Sequence, residues 1–470
     1  MVNKPNVQSQ QQTSQSLISI AELRAGLNGQ VIAPDDPGYD EARSVFYGAH
    51  NNRCPGVIVQ PANADDVARV VLLARESGAE LAVRSGGHSL AGHSTTEGGI
   101  LLDLSSLKGL EIDVEARTAW AEAGLTAGEY TVATGKHGRA TGFGDTPSVG
   151  IGGLTLGGGV GFLVRKYGLT IDSLLAAELV TADGQLRRVD AHTHPDLFWA
   201  IRGGGGNFGV VTRFQFRLYE VDTIVGGMLI LPATPDVITA FIAAADAAPD
   251  ELSTIANMMV APPMPFLPEE HQGKLIVMAL MAYTGKTSSG DQVFAPFRAL
   301  GPLVDMVKPM PYPEIYKLME IEEGPPQEVA CSLFLNHIDR GVAETLVEHL
   351  RASTAPLVVA QLRVLGGAMA RVPAEATAFA HRDRRFMAVI GAVYEDPSET
   401  PEHEAWLNAY VAALHQGKSG VYVNFLGDEG EMRIREAYPR ATWDRLTEIK
   451  TRYDPTNLFR LNQNIPPVSR

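Results

Sequence analysis

The sequence predicts an α+β fold divided into two parts, and three observations lead to that prediction. The chain has 470 residues, which exceeds what one hydrophobic core usually organises. Glycine is dense and clustered between residues 84 and 210. After about residue 222 the pattern changes to a regular succession of amphipathic helices and strands, which indicates a sheet covered by helices.

The first part begins with a capped helix and a short strand. Asn63 matches an N-cap, and apolar residues follow at helical spacing at positions 67, 70, 71 and 74. A short strand is predicted at 81–83, so the first glycine-rich segment begins at the end of a strand. Residues 211–218 alternate strictly between apolar and polar side chains, which predicts a half-buried strand.

The second part shows helical and strand periodicity without an internal repeat. The predicted helices are 235–248, 341–352 and 403–415. The predicted strands are 274–283, 329–335, 356–365, 386–394 and 420–426. A last helix carries Trp443, Leu446 and Ile449, is stopped by Asp454-Pro455, and leads into an Asn-rich tail.

Composition and charge exclude several classes of partner. With 45% hydrophobic and 20% charged residues, the chain is an ordinary globular protein. The formal net charge of -15 argues against nucleic acid and anionic membranes, because both select basic patches. Two cysteines, Cys54 and Cys331, are too few for a disulfide framework or a thiolate zinc site.

The N-terminus lacks the order of a secretory signal. A polar Gln/Ser/Thr run occupies residues 8–16, where a signal would need an apolar core. No apolar run of roughly 18 residues follows, so we expect no membrane span. We expect residues 1–16 to be a disordered tail and the protein to be cytoplasmic.

One glycine run matches a dinucleotide-binding motif in sequence but not in predicted structural context. Residues 204–209 match G-x-G-x-x-G. That motif needs a strand before it and a helix after it, whereas here a helical turn at 196–202 precedes it and strand 211–218 follows it. We therefore reject a Rossmann site.

Two other glycine clusters indicate a bound ligand. In residues 84–88, consecutive glycines allow backbone N–H groups to converge on an anion, and Arg84 adds charge nearby. Residues 150–161 include seven glycines, more than a turn requires, as expected where backbone approaches an extended ligand closely. A glycine-rich surface loop is the alternative for either cluster taken alone.

Further segments carry a family resemblance. They are 84–88, 146–153, 157–161, 165–169, 196–200 and 207–209, followed near the C-terminus by 453–459 and 462–465. In order and spacing they resemble the vanillyl-alcohol-oxidase superfamily, and in particular its berberine-bridge-enzyme-like branch. The resemblance is strong over about residues 30–222, clear over 420–467 and loose between them.

This resemblance implies a covalently bound FAD. His88 occupies the position that family members bond to the flavin 8α-methyl group; a histidine that merely caps the loop is the alternative. Many relatives add a second bond from a cysteine, but here that position is Thr146, whose hydroxyl cannot replace a thiolate. We therefore expect a single linkage.

The resemblance places the FAD contacts on the glycine segments, on the residues after His88 and in the C-terminal tail. The predicted cofactor-binding residues are Arg84, Ser85, Gly86, Gly87, His88, Ser89, Gly92, His93, Ser94, Thr146, Val149, Gly150, Gly152, Gly153, Gly157, Gly158, Gly161, Tyr167, Gly168, Asp172, Gly209, Val210, Val211, Asn462 and Asn464. Val149 matches a position beside the flavin where a small aliphatic residue is associated with oxygen access, which favours an oxidase. Packing is the alternative for this valine.

The substrate side carries weaker signals. Strand 356–365 has an apolar face at positions 358, 360, 362 and 364, which leaves Gln361 and Arg363 on the opposite face. Relatives contribute this strand to the substrate site, so both side chains are candidate catalytic residues facing the flavin cavity. An exposed polar pair is the alternative.

The usual acid/base groups of the family are absent. Relatives often place Glu, Gln or Tyr near Val389-Ile390, and a tyrosine at the position of Phe425. Tyr394, Tyr422 and Asn424 remain as catalytic candidates, with plain packing as the alternative.

Other chemistries have little support. His192-Thr193-His194 lacks a third metal ligand at a known spacing, so we expect no metal. The chain has no G-x-S-x-G elbow, which argues against a serine hydrolase.

The resemblance implies a two-part FAD-binding domain, at 17–222 and 420–470, and a substrate domain at 223–419 built on a helix-covered antiparallel sheet. The implied activity is oxidation of a CH–OH or CH–N bond in a small organic substrate, with hydride passing to flavin N5 and O2 reduced to hydrogen peroxide. A covalent-flavin dehydrogenase with another acceptor and a flavin-binding protein without turnover are the alternatives. The oligomeric state is not indicated.

Overall fold

The computed structural model of the protein describes residues 19–320, 324–417 and 420–468. The tail predicted at 1–16 lies outside these residues. The strands are β1 Gln30–Ile32, β2 Val57–Gln60, β3 Leu81–Arg84, β4 Ile100–Asp103, β5 Leu110–Asp113, β6 Thr118–Glu122, β7 Arg139–Ala140, β8 Leu174–Val180, β9 Leu186–Asp190, β10 Val210–Arg217, β11 Tyr219–Glu220, β12 Thr223–Pro232, β13 Leu252–Val260, β14 Leu275–Tyr283, β15 Val304–Asp305, β16 Lys308–Pro311, β17 Gln327–Leu335, β18 Leu357–Val364 and β19 Phe386–Tyr394.

Helices lie between and after these strands. They are α1 Ile20–Gly26, α2 Tyr39–Arg43, α3 Ala64–Ser77, α4 Ala127–Gly135, α5 Ile151–Gly157, α6 Val164–Tyr167, α7 Pro195–Ala200, α8 Pro235–Ala247, α9 Gly290–Arg298, α10 Arg340–Ala352, α11 Ala368–Arg371, α12 Thr400–Leu414, α13 Glu431–Ala437 and α14 Arg440–Tyr453. The mixture of sheets and helices confirms the predicted α+β class.

The strands form three sheets in the first half of the chain, one of them the two-stranded pair β7-β11, and one large sheet in the second. A four-stranded sheet has the order β1-β2-β4-β3, and a five-stranded antiparallel sheet has the order β5-β6-β10-β8-β9. The large sheet is antiparallel, in the order β15-β12-β14-β13-β18-β19-β17, with β16 beside β12. It confirms the helix-covered antiparallel sheet expected after residue 222.

Helices α8, α10 and α12 cover one face of the large sheet. Their buried side chains, Phe241, Leu346 and Tyr410 among them, pack with the residues of β17, β18 and β19 that point to that side. Since side chains alternate along a strand, the other residues of these strands point to the opposite face. That face is turned toward the glycine-rich segments.

The C-terminal residues pack with the N-terminal sheets. Trp443, Leu446 and Ile449 of α14 belong to the same core as Val57 of β2 and Phe214 of β10. The domain limits proposed from the sequence remain a prediction.

The predicted elements are confirmed with one error, and many other strands and helices of the structure were not predicted. Segment 420–426 is not a strand but a loop with one helical turn, Val423–Phe425. Its polar groups bond to the glycine-rich segment instead of a neighbouring strand. Strands β12 and β13 were not predicted, because nearly all their side chains are buried and show no polar alternation.

Candidate functional site

A cavity of about 930 Å³ lies between the glycine-rich segments and the uncovered face of the large sheet. The lining includes residues 85–89 with the glycine loops, strands β13, β17, β18 and β19, residues 46–47, and the C-terminal residues 422–426 and 459–463. Such a volume falls within the range of about 300–1,000 Å³ that is usual for ligand pockets. The cavity therefore joins regions that are more than 300 residues apart in sequence.

The first glycine segment follows β3 and makes a tight turn. Gly87 has φ 75°, a conformation that favours glycine. Ser85 donates a hydrogen bond to the carbonyl of Ala123 (2.6 Å) and accepts one from the N–H of Gly152 (3.3 Å). These bonds hold the two glycine segments together, and residues 85–89, 93 and 94 line the cavity.

Arg84 does not line the cavity, which corrects its predicted role as a nearby charge for an anion. Its guanidinium is buried and lies 2.9 Å from the carboxylate of Asp103. It also donates to the carbonyls of Ala42 and Ser44. Because strand residues alternate, the side chain of Arg84 points away from the side that Ser85 faces.

His88 lies at the cavity wall with its ring stacked on Phe46, at a centroid distance of 4.0 Å and an interplanar angle of 22°. In the described part of the chain, neither ring nitrogen has a hydrogen-bond partner. Burial lowers the pKa of His88 to about 4. The imidazole is therefore neutral at physiological pH and keeps a nitrogen lone pair, which a nucleophile requires.

The second glycine segment has two different roles. Gly150, Gly152 and Gly153 line the cavity, and a Cβ added to Gly153 would meet no heavy atom within 4 Å. Gly157, Gly158 and Gly161 do not line it, which corrects their prediction as ligand contacts. A Cβ at Gly157 would lie 1.9 Å from Asn424 Oδ1, and one at Gly161 would lie 1.7 Å from the carbonyl oxygen of Phe143. These glycines allow close packing within the protein.

Thr146 and Val149 both line the cavity, between the two glycine segments. They follow Asp145, whose carboxylate lies 2.9 Å from the guanidinium of Arg363 on β18. This ion pair is almost completely buried, with side-chain exposures of 10% and 5%.

Gln361 and Arg363 face the cavity, as the strand alternation predicted. Arg363 donates to the side-chain oxygen of Gln361 (2.7 Å), and Gln361 donates to the side-chain oxygen of Asn257 on β13 (2.8 Å). The result is a polar row across strands β13 and β18, extended by Asp145 in the neighbouring loop, in an otherwise apolar wall.

The C-terminal loop contributes Tyr422 and Asn424. The Tyr422 hydroxyl accepts hydrogen bonds from the N–H of Gly159 and from the Asn424 amide, both at 2.8 Å. Burial raises the pKa of Tyr422 to about 12, so it is a neutral phenol at physiological pH and a poor base. Asn424 also donates to the carbonyl of Leu154 (2.9 Å), which fixes the loop against α5.

Asn207 ties the remaining tail to the cavity. Its amide nitrogen donates to the carbonyl of Gln463 (3.1 Å), and its oxygen accepts from the N–H of Ile465 (2.9 Å). Asn462 lines the cavity together with residues 209–211. The run at 204–209 is a short helical turn, Gly205–Phe208, followed by β10, which confirms that the context of a Rossmann motif is missing.

Several predicted site residues lie away from the cavity. Tyr394 points to the helix-covered face of the sheet, where its hydroxyl bonds to Thr400 (2.7 Å). Tyr167 stacks on Tyr219, and Asp172 pairs with Arg382 at 2.7 Å. The other predicted residues outside the lining are Gly92, Gly168 and Asn464. The family motif thus includes residues that shape turns as well as residues at the cavity.

Sequence reasoning missed Glu328, Asp145, Asn257 and Tyr47, which also line the cavity. The sequence did contain a pattern that could have identified Glu328. Residues 328, 330 and 332 alternate with the apolar residues 329, 331 and 333, so the pattern placed a carboxyl on the uncovered face of β17. No local signal marked Asp145, whose partner lies 218 positions away.

The structure holds no metal-binding cluster within residues 19–320, 324–417 and 420–468. His194, one of the histidines considered above, lies 3.4 Å from the hydroxyl of Tyr453. Among the helices of these same residues, none is long and apolar enough to cross a membrane.

Three features of this cavity are suited to binding a flavin dinucleotide. The volume is adequate, the wall at Gly153 is open to an approaching ligand, and the buried Oδ1 atom of Asn462 has no partner in the part of the chain described. The one cation in the described lining, Arg363, is already paired with Asp145. A pyrophosphate would therefore be held by backbone N–H groups and hydroxyls of residues 85–89.

Comparisons with known proteins agree with this fit. Residues 55–190 match the family described as FAD binding domain, and residues 421–466 match the one described as Berberine and berberine like. The fold and the site define an FAD-dependent oxidoreductase. Within that class, the chain belongs to the berberine-bridge-enzyme-like family of FAD-linked oxidases.

Individual relatives cover almost the whole chain. The (R)-6-hydroxynicotine oxidase of Paenarthrobacter nicotinovorans is 32% identical over 459 residues, which is 94% of this chain and 97% of the relative. Berberine bridge enzyme-like C-1 of Nicotiana tabacum is 28% identical over 514 residues, which covers 91% and 87%. The crystal structure of 6-hydroxy-D-nicotine oxidase from Arthrobacter nicotinovorans superposes with a TM-score of 0.85 at 28% identity, over 94% of this chain and 98% of that one. The sequence motifs also resemble this enzyme.

Proposed function

We propose that the protein is an oxidase that holds FAD through one covalent bond from His88. The observation that carries this proposal is the neutral imidazole of His88, which has no hydrogen-bond partner among the described residues, at the wall of a flavin-sized cavity. A protonated histidine, or one with both nitrogens in hydrogen bonds, would be a poor nucleophile. The stacked ring of Phe46 holds the imidazole in place without engaging its nitrogens.

We infer the remaining cofactor contacts from the residues that line the cavity. Residues 85–89, 93 and 94 would surround one part of the FAD, and Thr146, Val149, Gly150, Gly152 and Gly153 another. Residues 209–211 and Asn462 would complete the site. Thr146 supplies no thiolate, which is why a single linkage is proposed.

When bound, FAD supplies the redox chemistry: flavin N5 takes hydride from a CH–OH or CH–N bond, and O2 is reduced to hydrogen peroxide. The chain's own contribution is to bind and orient the substrate against the flavin. Gln361, Arg363, Tyr422 and Asn424 supply hydrogen-bonding groups at the cavity wall, and their mutual bonds restrict their movement. The apolar side chains around them exclude water.

The names of the relatives support an oxidase of small molecules without indicating which one. The test is a panel of small alcohols, amines and oligosaccharides, scored by anaerobic bleaching of the flavin and then by peroxide formed on admission of air. We expect at least one compound to bleach the flavin and to give one peroxide per turnover. Bleaching without peroxide would favour a dehydrogenase, and no bleaching by any compound would contradict an enzymatic role for this cavity.

A further inference from the structure

Glu328 stands out among the residues that line the cavity. It lies on the uncovered face of β17, opposite Val393 of β19, and it lines the cavity together with Tyr47. In the described part of the chain, its carboxylate has no hydrogen bond and no ion pair. A Cβ added to Gly391 would lie 3.3 Å from Glu328 Oε1, so the absence of a side chain at Gly391 leaves space beside the carboxyl group.

The other ionisable groups in the described lining of the cavity carry no net charge. Asp145 and Arg363 form their own pair, and burial keeps His88 and His93 neutral by lowering the pKa of each to about 4. Burial also raises the pKa of Glu328 to about 7, because it disfavours the charged form, and no cation of the described residues pairs with this carboxyl group. The cavity therefore contains one carboxyl group without a counter-charge.

The surroundings of Glu328 are apolar and aromatic. Leu357, Val359 and Val393 line the same region of the sheet, and Phe46 and Tyr47 line the opposing loop with their rings in an edge-to-face arrangement at 5.1 Å. Burial and the nearby charge of Glu328 raise the pKa of Tyr47, which indicates that the two groups are close. Aromatic faces attract cations, and apolar walls accommodate a hydrocarbon body.

We propose that Glu328 binds the protonated nitrogen of an amine substrate. This proposal rests on the proposed function, and it narrows the reacting bond from CH–OH or CH–N to CH–N. The bound ammonium group would pass one proton to the Glu328 carboxylate before hydride leaves the adjacent carbon. An ammonium group would give the carboxylate the counter-charge that the protein does not supply, whereas a neutral alcohol would leave the charge uncompensated. A metal cation does not fit, because a single carboxylate provides too few oxygen ligands.

The probes are benzylamine, which is protonated at neutral pH, and benzyl alcohol, its neutral counterpart of similar shape. Binding to the FAD-loaded protein is measured anaerobically, from changes in flavin absorbance and from the thermal unfolding temperature. We expect benzylamine to bind about 10-fold or more tightly than benzyl alcohol. Glu328→Gln should abolish that preference while keeping the shape of the side chain.

The matched control is Glu395→Gln. It removes an exposed carboxyl just beyond β19 and outside the cavity, so net charge changes equally while the preference should remain. FAD content is checked for each variant, and Glu328→Ala serves as a second variant if Glu328→Gln loads poorly. Equal binding of both probes, no binding of benzylamine, or a preference retained without Glu328 would each overturn the proposal.

Failure of the proposed ammonium site can be distinguished from failure of the proposed oxidase function. Amine preference that depends on Glu328 supports the ammonium site even if benzylamine itself does not bleach the flavin. Bleaching by alcohols alone, with no dependence on Glu328, would support the oxidase and refute the ammonium site.

Discussion

Arg363 and Asp145 form a buried ion pair, 2.9 Å from guanidinium nitrogen to carboxylate oxygen, that joins the large sheet to the loop carrying Thr146 and Val149. Arg363 also donates to the carbonyl of Val160 (3.3 Å), in the second glycine segment. The proposed substrate wall and the proposed flavin wall are therefore held together by one side chain. Its charge is neutralised before any ligand binds.

Asp145→Asn should destabilise the protein strongly, because it leaves the Arg363 guanidinium buried without a counter-charge. We expect a loss of about 3–5 kcal/mol in the free energy of unfolding. This loss in the free energy of unfolding is measured by urea unfolding of the FAD-loaded wild type and variant. The control is Asp246→Asn, which removes the partner of the exposed Arg385 and should cost about 1 kcal/mol or less. Similar losses in both variants would show that the buried pair has no special role.

His88→Ala should abolish covalent attachment of FAD. The wild-type protein should stay yellow after acid denaturation, because a bond from His88 survives unfolding, while the variant should release all its flavin into the supernatant. Non-covalent contacts from residues 85–89 and from the second glycine segment should still allow the folded variant to bind added FAD. Free flavin from the denatured wild type would contradict the proposed linkage.

The flavin should be attached through one residue only. Because Thr146 cannot form a thioether, proteolysis and mass spectrometry should find FAD on a single peptide, the one containing His88. Cys54 is exposed and Cys331 is buried, and neither lines the cavity. Flavin on a cysteine-containing peptide would refute the single linkage.

Val149→Leu should slow reoxidation by oxygen and spare anaerobic reduction by substrate. The added methylene would narrow a gap beside the flavin if oxygen arrives past this side chain. Stopped-flow measurement of the two half-reactions separates these effects. Overpacking of the loop typically costs about 1–3 kcal/mol, so thermal stability and FAD content must be compared as well. An unchanged reoxidation rate in a stable variant would mean that Val149 serves packing.

His93 should make the protein less stable as the pH falls from 7 to 5. Burial lowers its pKa in the folded protein to about 4, against a smaller opposing effect of Asp428 and added effects of Arg53 and His50. The unfolded chain, with a histidine pKa of about 6.5, therefore binds the proton first, and the free energy of unfolding falls as the pH falls through this window.

Urea unfolding at pH 7 and pH 5 tests this. His93→Asn should lose less stability than the wild type over that interval, while His337→Asn, which changes an exposed histidine, should follow the wild type. Titration of Glu328 changes the free energy of unfolding in the opposite direction, because the pKa of Glu328 is raised in the folded protein. All three proteins contain Glu328, so this contribution cancels when they are compared. Equal losses in the wild type and His93→Asn would contradict the lowered pKa.

Local sequence pattern was sufficient for nearly all the elements that were predicted, and for one wall of the cavity. Asn63 caps α3 as predicted, since its side chain accepts from the N–H of Asp66 (3.0 Å). The strict alternation along β18 placed Gln361 and Arg363 on one face. Alternation could not show which face of the sheet would be covered by helices. Tyr394 lies on the helix-covered face, so it has no role in the cavity.

The sequence by itself determined the α+β class, the positions of the glycine segments and the side of β18 that carries polar groups, because these depend on residues within a few positions of one another. Only the tertiary structure decided that Arg84 pairs with Asp103, that Gly157 and Gly161 contact protein, and that segment 420–426 is a loop. It also brought Asp145 to Arg363 and left Glu328 without a partner in the part of the chain that the structure describes. The charge state and role of a buried group depend on which distant residues surround it, and local sequence does not contain that information.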